Sequence, residues 1–155
     1  MFRIHALPIA PFALLFALDH EQLAARDIRR VVADGPHAYP CRVSLRDADV
    51  GESLLLLPFT HHDVASPYRA SGPIYVREGA TRAGPAVDEV PEQLRRRLLS
   101  VRAYGDDGMM RIADVSDGID LASTIERFFD RADVGYLHVH YAKYGCYASR
   151  VTREG

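Results

Sequence analysis

Apolar and polar residues alternate in "FRIHAL" at 2–7 and again in "CRVSL" at 41–45, where Cys41, Val43 and Leu45 stand against Arg42 and Ser44. A period of two sends successive side chains to opposite faces, so both stretches predict half-buried strands. "IRRVVA" at 28–33 and "GPIYVRE" at 72–78 predict two more. "SLLLLPF" at 53–59 does not alternate. A short continuous apolar run predicts a strand covered on both faces. "RLLSVRAY" at 97–104 and "MMRIADV" at 109–115 flank "GDDG", which predicts a hairpin. "VGYLHVHYA" at 134–142 and "CYASRVT" at 146–152 predict another, turning through Lys143, Tyr144 and a left-handed Gly145.

The helical period is clearest in "DLASTIERFFDR" at 120–131, where Leu121, Ile125, Phe128 and Phe129 share one face. Asp19 followed by Gln22 has the form of a capping box and predicts a short helix ending near Asp27. Another short helix is expected after Pro91, while 11–17 is apolar without a deciding period. Residues 34–40, 46–52, 60–71 and 79–91 carry turn chemistry, and 60–71 predicts a long loop. Strands mostly follow strands. The expected fold is therefore α+β: a single domain over 1–155 with a largely antiparallel β-sheet or open barrel and two or three helices.

A chain of 155 residues can bury its own core without disulfides or metal staples. The net charge of -2 gives no bulk attraction to nucleic acid or to an acidic membrane, so neither is expected as a partner. All basic residues but Lys143 are arginine. Cys41 and Cys146 make neither a disulfide framework nor a zinc motif by spacing. Pro8 and Pro11 interrupt the apolar N-terminal run, which has no clear cleavage site and is too short to span a bilayer. A cytoplasmic protein with reduced thiols is expected.

Candidate chemistry gathers in two segments. In the last hairpin, a three-residue loop sets Ala142 opposite Cys146, His140 opposite Ala148 and His138 opposite Arg150. One face then carries Tyr136, His138, His140, Cys146 and Arg150; Leu137, Val139, Tyr141, Tyr147 and Val151 form the core face. A metal would need His138 and His140 with Cys146 as a third ligand, but Arg150 opposes a cation and no nearby glutamate completes the set. No metal and no cofactor are expected. Arginine, histidine and tyrosine donors suit a carboxylate or phosphate better. A solvated sheet face of mixed polar groups is the plainer alternative. Cys146 becomes a candidate nucleophile only if His140 reaches it.

The long loop supplies His61, His62, Asp63, Tyr68, Arg69 and Ser71. His62 and Asp63 are adjacent, and adjacent side chains rarely face each other, so they make a weak base–orienter pair. Ser66 and Ser71 lack the glycine-flanked setting of a nucleophilic serine, and no phosphate-binding or dinucleotide fingerprint occurs.

"FRIHALP", "PCRVSL", "SPYRASGPIYVRE" and "GCYASRV" together resemble the bacterial family catalogued as domain of unknown function 1203. The resemblance runs from Phe2 to Val151. It implies a single bacterial domain and carries no activity, cofactor or catalytic residue.

The reading favoured by the sequence is a pocket for a small anionic molecule. Arg69 and Arg150 would bind the anion, while Tyr68, Ser71, Lys143 and Tyr144 would orient it. His62, His138 and His140 are the candidate catalytic acid–base groups, because imidazole titrates near neutral pH. Segments 61–71 and 138–150 are expected to meet at one concave site. The competing reading is a non-catalytic interaction module, or a homodimer, using the Tyr/His face.

Overall fold

The computed structural model describes residues 1–155 as one α+β domain built on two open antiparallel sheets. In chain order the elements are β1 (Phe2–His5), α1 (Ala10–Ala13), α2 (His20–Ala24), β2 (Arg29–Val32), β3 (Ser53–His62), β4 (Ala70–Arg77), α3 (Glu92–Arg95), β5 (Leu98–Tyr104), β6 (Met110–Asp117), α4 (Leu121–Phe129), β7 (Tyr136–Tyr141) and β8 (Tyr147–Arg153). The larger sheet has the order β1-β8-β7-β5-β6, and the smaller β2-β3-β4. No helix is long and apolar enough to cross a membrane.

The larger sheet is covered on both sides. On one, Leu99, Val101, Leu137, Val139 and Val151 pack against Leu121, Ile125 and Phe128 of α4. These are the inward residues expected of the last hairpin and of the amphipathic helix. The other side carries Tyr104, Arg102 and Ser100 of β5 opposite Tyr136, His138 and His140 of β7. This is not the solvated face that the sequence allowed. The far end of β3 lies over it, leaving His138 and His140 only 2% and 1% exposed.

A second core joins Leu55 and Leu57 of β3 to Ile74 and Val76 of β4, with Phe12, Leu23, Cys41 and Val43. The unalternating β3 run is covered on both faces as expected: Leu54 enters a third small cluster with Ala33 and Ala48, while Leu55 enters the second core. The expected capping box also forms, with Asp19 and Gln22 exchanging backbone and side-chain hydrogen bonds.

Three expectations change. Residues 41–45 alternate like a strand but fold as a turn, in which the Cys41 N–H donates to the Arg46 carbonyl and Leu45 adopts a φ of 48°. Its apolar side chains serve separate cores, Cys41 and Val43 the second and Leu45 the first, which a straight strand cannot do. The long loop is shorter than 60–71, because β3 runs to His62 and β4 starts at Ala70. A bulge between Val139 and His140 pairs His140 with Tyr147 instead of Ala148. Tyr147 therefore joins the histidine side.

Candidate functional site

The extra length of β3 brings His61 and His62 onto β7. A bulge at Thr60/His62 interrupts the regular alternation there, and bulges re-aim side chains. Both consecutive histidines thereby reach the same cluster. The His61 ring lies 6.1 Å from that of His138 and 5.0 Å from that of His140; the His62 ring lies 5.0 Å from that of His138. Tyr147 stacks on His61 at 5.4 Å and meets His138 and His140 edge-on.

His62 is fully used inside this cluster. Its Nδ1 is 2.8 Å from the Tyr68 carbonyl, an acceptor, so Nδ1 carries the proton and Nε2 accepts from the Tyr136 hydroxyl at 2.7 Å. His140 likewise donates from Nδ1 to the Gly145 carbonyl at 2.9 Å. Gly145 has the left-handed φ expected of it, 75°. Burial, aided by Arg102, holds His61 down to about 4. Burial first, then the neighbouring histidines, takes His138 to about 2. Burial also takes His140 to about 3, against the opposing bond to Gly145. These three rings are neutral at pH 7. Burial thus disfavours the charged form that an acid–base role for His138 and His140 would use near neutral pH.

A cleft lies elsewhere, beside the turn of the last hairpin. It encloses about 710 Å³ between that turn, residues 37–42 and the start of β5. Leu56, Pro73, Tyr75, Leu98 and Tyr141 supply apolar wall; Arg42, Arg96, Arg97, Lys143 and His37 supply basic groups, and no carboxylate lines it. Arg97 is already neutralised, because Asp47 grips both its terminal nitrogens at 3.1 and 2.7 Å. Arg42 is not. It is 2% exposed, donates to the carbonyls of Tyr147 at 2.8 Å and Pro40 at 2.5 Å, and lies 4.9 Å from the Tyr141 ring centre. No carboxylate pairs with it, and burial lowers its pKa.

The two expected segments do meet, through His61 and His62 on one side and His138 and His140 on the other. They do not enclose the cleft. Lys143, Tyr144 and Cys146 line it, but nothing from 61–71 does. Arg69 is exposed and bound to Asp63 at 2.6 Å, closing the base of its own loop. Tyr68 is exposed and contributes its carbonyl to His62. The Ser71 hydroxyl bonds Thr60 across the β3–β4 pair at 2.9 Å. Arg150 is opposite His138 as expected, but its guanidinium lies 4.2 Å over the Tyr136 ring. Cys146 directs its thiol to the Tyr144 carbonyl at 3.8 Å, not to His140. Sequence reasoning missed Arg42, Arg96, Arg97, His37 and Tyr75. The one available signal was an arginine between two apolar residues in "CRV", which alternation assigned to solvent.

No curated protein and no solved structure is detectably similar to the chain. A family model described as "Protein of unknown function (DUF1203)" matches residues 38–153. That span holds the Arg42 turn, both ends of the histidine cluster and every residue of the cleft except His37. The match covers most of the chain, and the protein belongs to the DUF1203 family.

Proposed function

We propose that this protein binds a small organic anion, a carboxylate or phosphate on an apolar body, in the cleft beside the last hairpin. The observation that carries the reading is Arg42. A buried charge without a counter-charge is costly, and carbonyl partners leave its full positive charge in place. An anion entering the cleft supplies what is missing. Lys143 and Arg96 are exposed at the same cleft and add attraction near its opening, Arg96 the less because it also reaches Glu92 at 3.3 Å. The apolar wall, with Tyr75 and Tyr141, suits a ring or short hydrocarbon better than a bare inorganic ion. A volume of about 710 Å³ accommodates such a molecule. Two unpaired cysteines agree with a reducing compartment, and we place the activity in the cytoplasm.

The competing reading is a protein contact or homodimer made by the Tyr/His face; the burial of Tyr136, His138 and His140 within the chain supports the cleft over it.

Calorimetric titration with phenyl phosphate, benzoate and inorganic phosphate tests the proposal. The aromatic anions should bind more tightly than inorganic phosphate. Lys143→Ala should weaken binding roughly tenfold, the worth of one charge-assisted contact, and Arg96→Ala by less, since Arg96 is also held by Glu92. Arg69→Ala and Arg150→Ala should leave it unchanged. Binding lost in the latter pair and retained in the former would move the site to the loop and sheet face suggested by the sequence.

A further inference from the structure

We propose that His61, His138 and His140 form a site for a divalent transition-metal ion, zinc being the simplest occupant, held by three neutral imidazoles between the two sheets. One ring nitrogen from each lies within 4.8 Å of the others. Nδ1 of His61, Nδ1 of His138 and Nε2 of His140 are buried with no hydrogen-bond partner. Native interiors rarely leave one buried polar atom unsatisfied, and three in one cluster need an explanation. Packing alone does not give one, since apolar side chains would fill the same space without orphaned nitrogens. A metal ion accepts all three lone pairs at once.

The supporting contacts also fit. His140 donates its Nδ1 proton to the Gly145 carbonyl at 2.9 Å, which leaves the Nε2 lone pair free for a ligand. Metal-bound histidines are held in this way. The two strands explain how the set assembles. His138 and His140, two residues apart on β7, share a face; His61 comes from β3 beside the bulge. This third donor is what the hairpin sequence lacked. The Arg150 guanidinium, which argued against a cation, lies over the Tyr136 ring. Zinc–nitrogen bonds of about 2.0–2.1 Å set tetrahedral ligand atoms about 3.3 Å apart. Closing the cluster therefore takes a shift on the order of 1 Å in the rings.

The charge of the site narrows the ion. The charged groups acting on the three rings are Arg102, Arg42, Arg150 and the histidines themselves, with no carboxylate. Nitrogen donors without oxygen select zinc, copper or nickel over magnesium and calcium. Neutral ligands leave the ion its full charge, and the nearby arginines favour an anion, such as hydroxide, in the fourth position.

The test uses the tag-free 155-residue chain stripped with a chelator. Zinc titrated by calorimetry should bind one ion per chain, and cobalt should show the visible absorption of a four- or five-coordinate nitrogen site. His61→Ala, at a half-buried position, and His138→Gln should each lower zinc affinity at least a hundredfold, with circular dichroism checking the fold. His20→Ala, at an exposed position of α2 outside the cluster, should retain the cobalt spectrum. Magnesium should give no heat. Should His138→Gln fail to fold, His61→Ala decides. Zinc binding equal in the parent and His61→Ala, or no stoichiometric binding by the parent, would overturn the site.

Discussion

Arg42 is the residue on which the anion reading rests, and its environment gives a thermodynamic prediction. A ligand that binds only the folded state at a hundredfold excess over its Kd stabilises that state by about 2.7 kcal/mol. In a chain of this size this corresponds to a rise in Tm of roughly 5–10 °C. Aryl phosphate or benzoate should produce such a rise in the parent and none in Arg42→Met, measured by scanning calorimetry. An equal rise in both would mean that the anion is held elsewhere. His62 has a different role. It bonds Tyr68 through one nitrogen and Tyr136 through the other, tying the β3 end to β7. His62→Ala leaves the Tyr136 hydroxyl without its partner and should cost about 1–3 kcal/mol in urea denaturation. At this scale the sequence was only partly legible. His138 and His140 stood out by spacing, but their burial could not be read, because it depends on a sheet whose packing is not local. Arg42 looked like the wet side of a strand.

Local periodicity was most informative at the scale of elements. The α4 face, the β5–β6 and β7–β8 hairpins and the capping box at Asp19 all form where the pattern put them. Each is decided by residues a few positions apart. Residues 41–45 misled because their alternation serves two cores instead of two faces. The ends of β3 and β4 were missed because "THH" and "AS" carry turn-tolerant polar residues, and cross-strand pairing keeps them extended. A close contact that no local pattern shows joins α3 to the segment before α4. A Cβ on Gly118 would fall 2.0 Å from the Leu94 carbonyl oxygen, and the Gly118 N–H donates to the Arg97 carbonyl at 2.8 Å. Gly118→Ala must push α3 aside, at a cost of about 1–3 kcal/mol in chemical denaturation. Arg96 and Arg97 follow α3 directly, so the same variant should bind the anion more weakly. Unchanged stability would show that this junction yields without strain.

Over the whole molecule, the two sheets are not independent units. The larger has α4 on one side and the end of β3 on the other, while Tyr147 of β8 packs into the core of the smaller. Arg42 donates to the carbonyl of this same Tyr147, whose ring touches the three neutral histidines. Tyr147 thus links the two places, its carbonyl holding the cleft residue Arg42 and its ring packing on the histidine cluster. Calorimetry of the ligand-free protein should show one transition, with calorimetric and van't Hoff enthalpies equal. Two resolved transitions would separate the sheets. The sequence placed the binding groups in one shared pocket of 61–71 and 138–150, whereas the structure puts the histidines together there and the unpaired cation across Tyr147. The most direct measurement of the central claim is therefore a crystal structure of the protein soaked with 4-bromobenzoate, located by the anomalous scattering of its bromine. The account predicts a bromine peak against the apolar wall of the cleft, with the carboxylate within hydrogen-bonding distance of the Arg42 guanidinium and Lys143 turned towards it. A cleft without a peak, or bromobenzoate bound instead at Arg69 or Arg150, would contradict it.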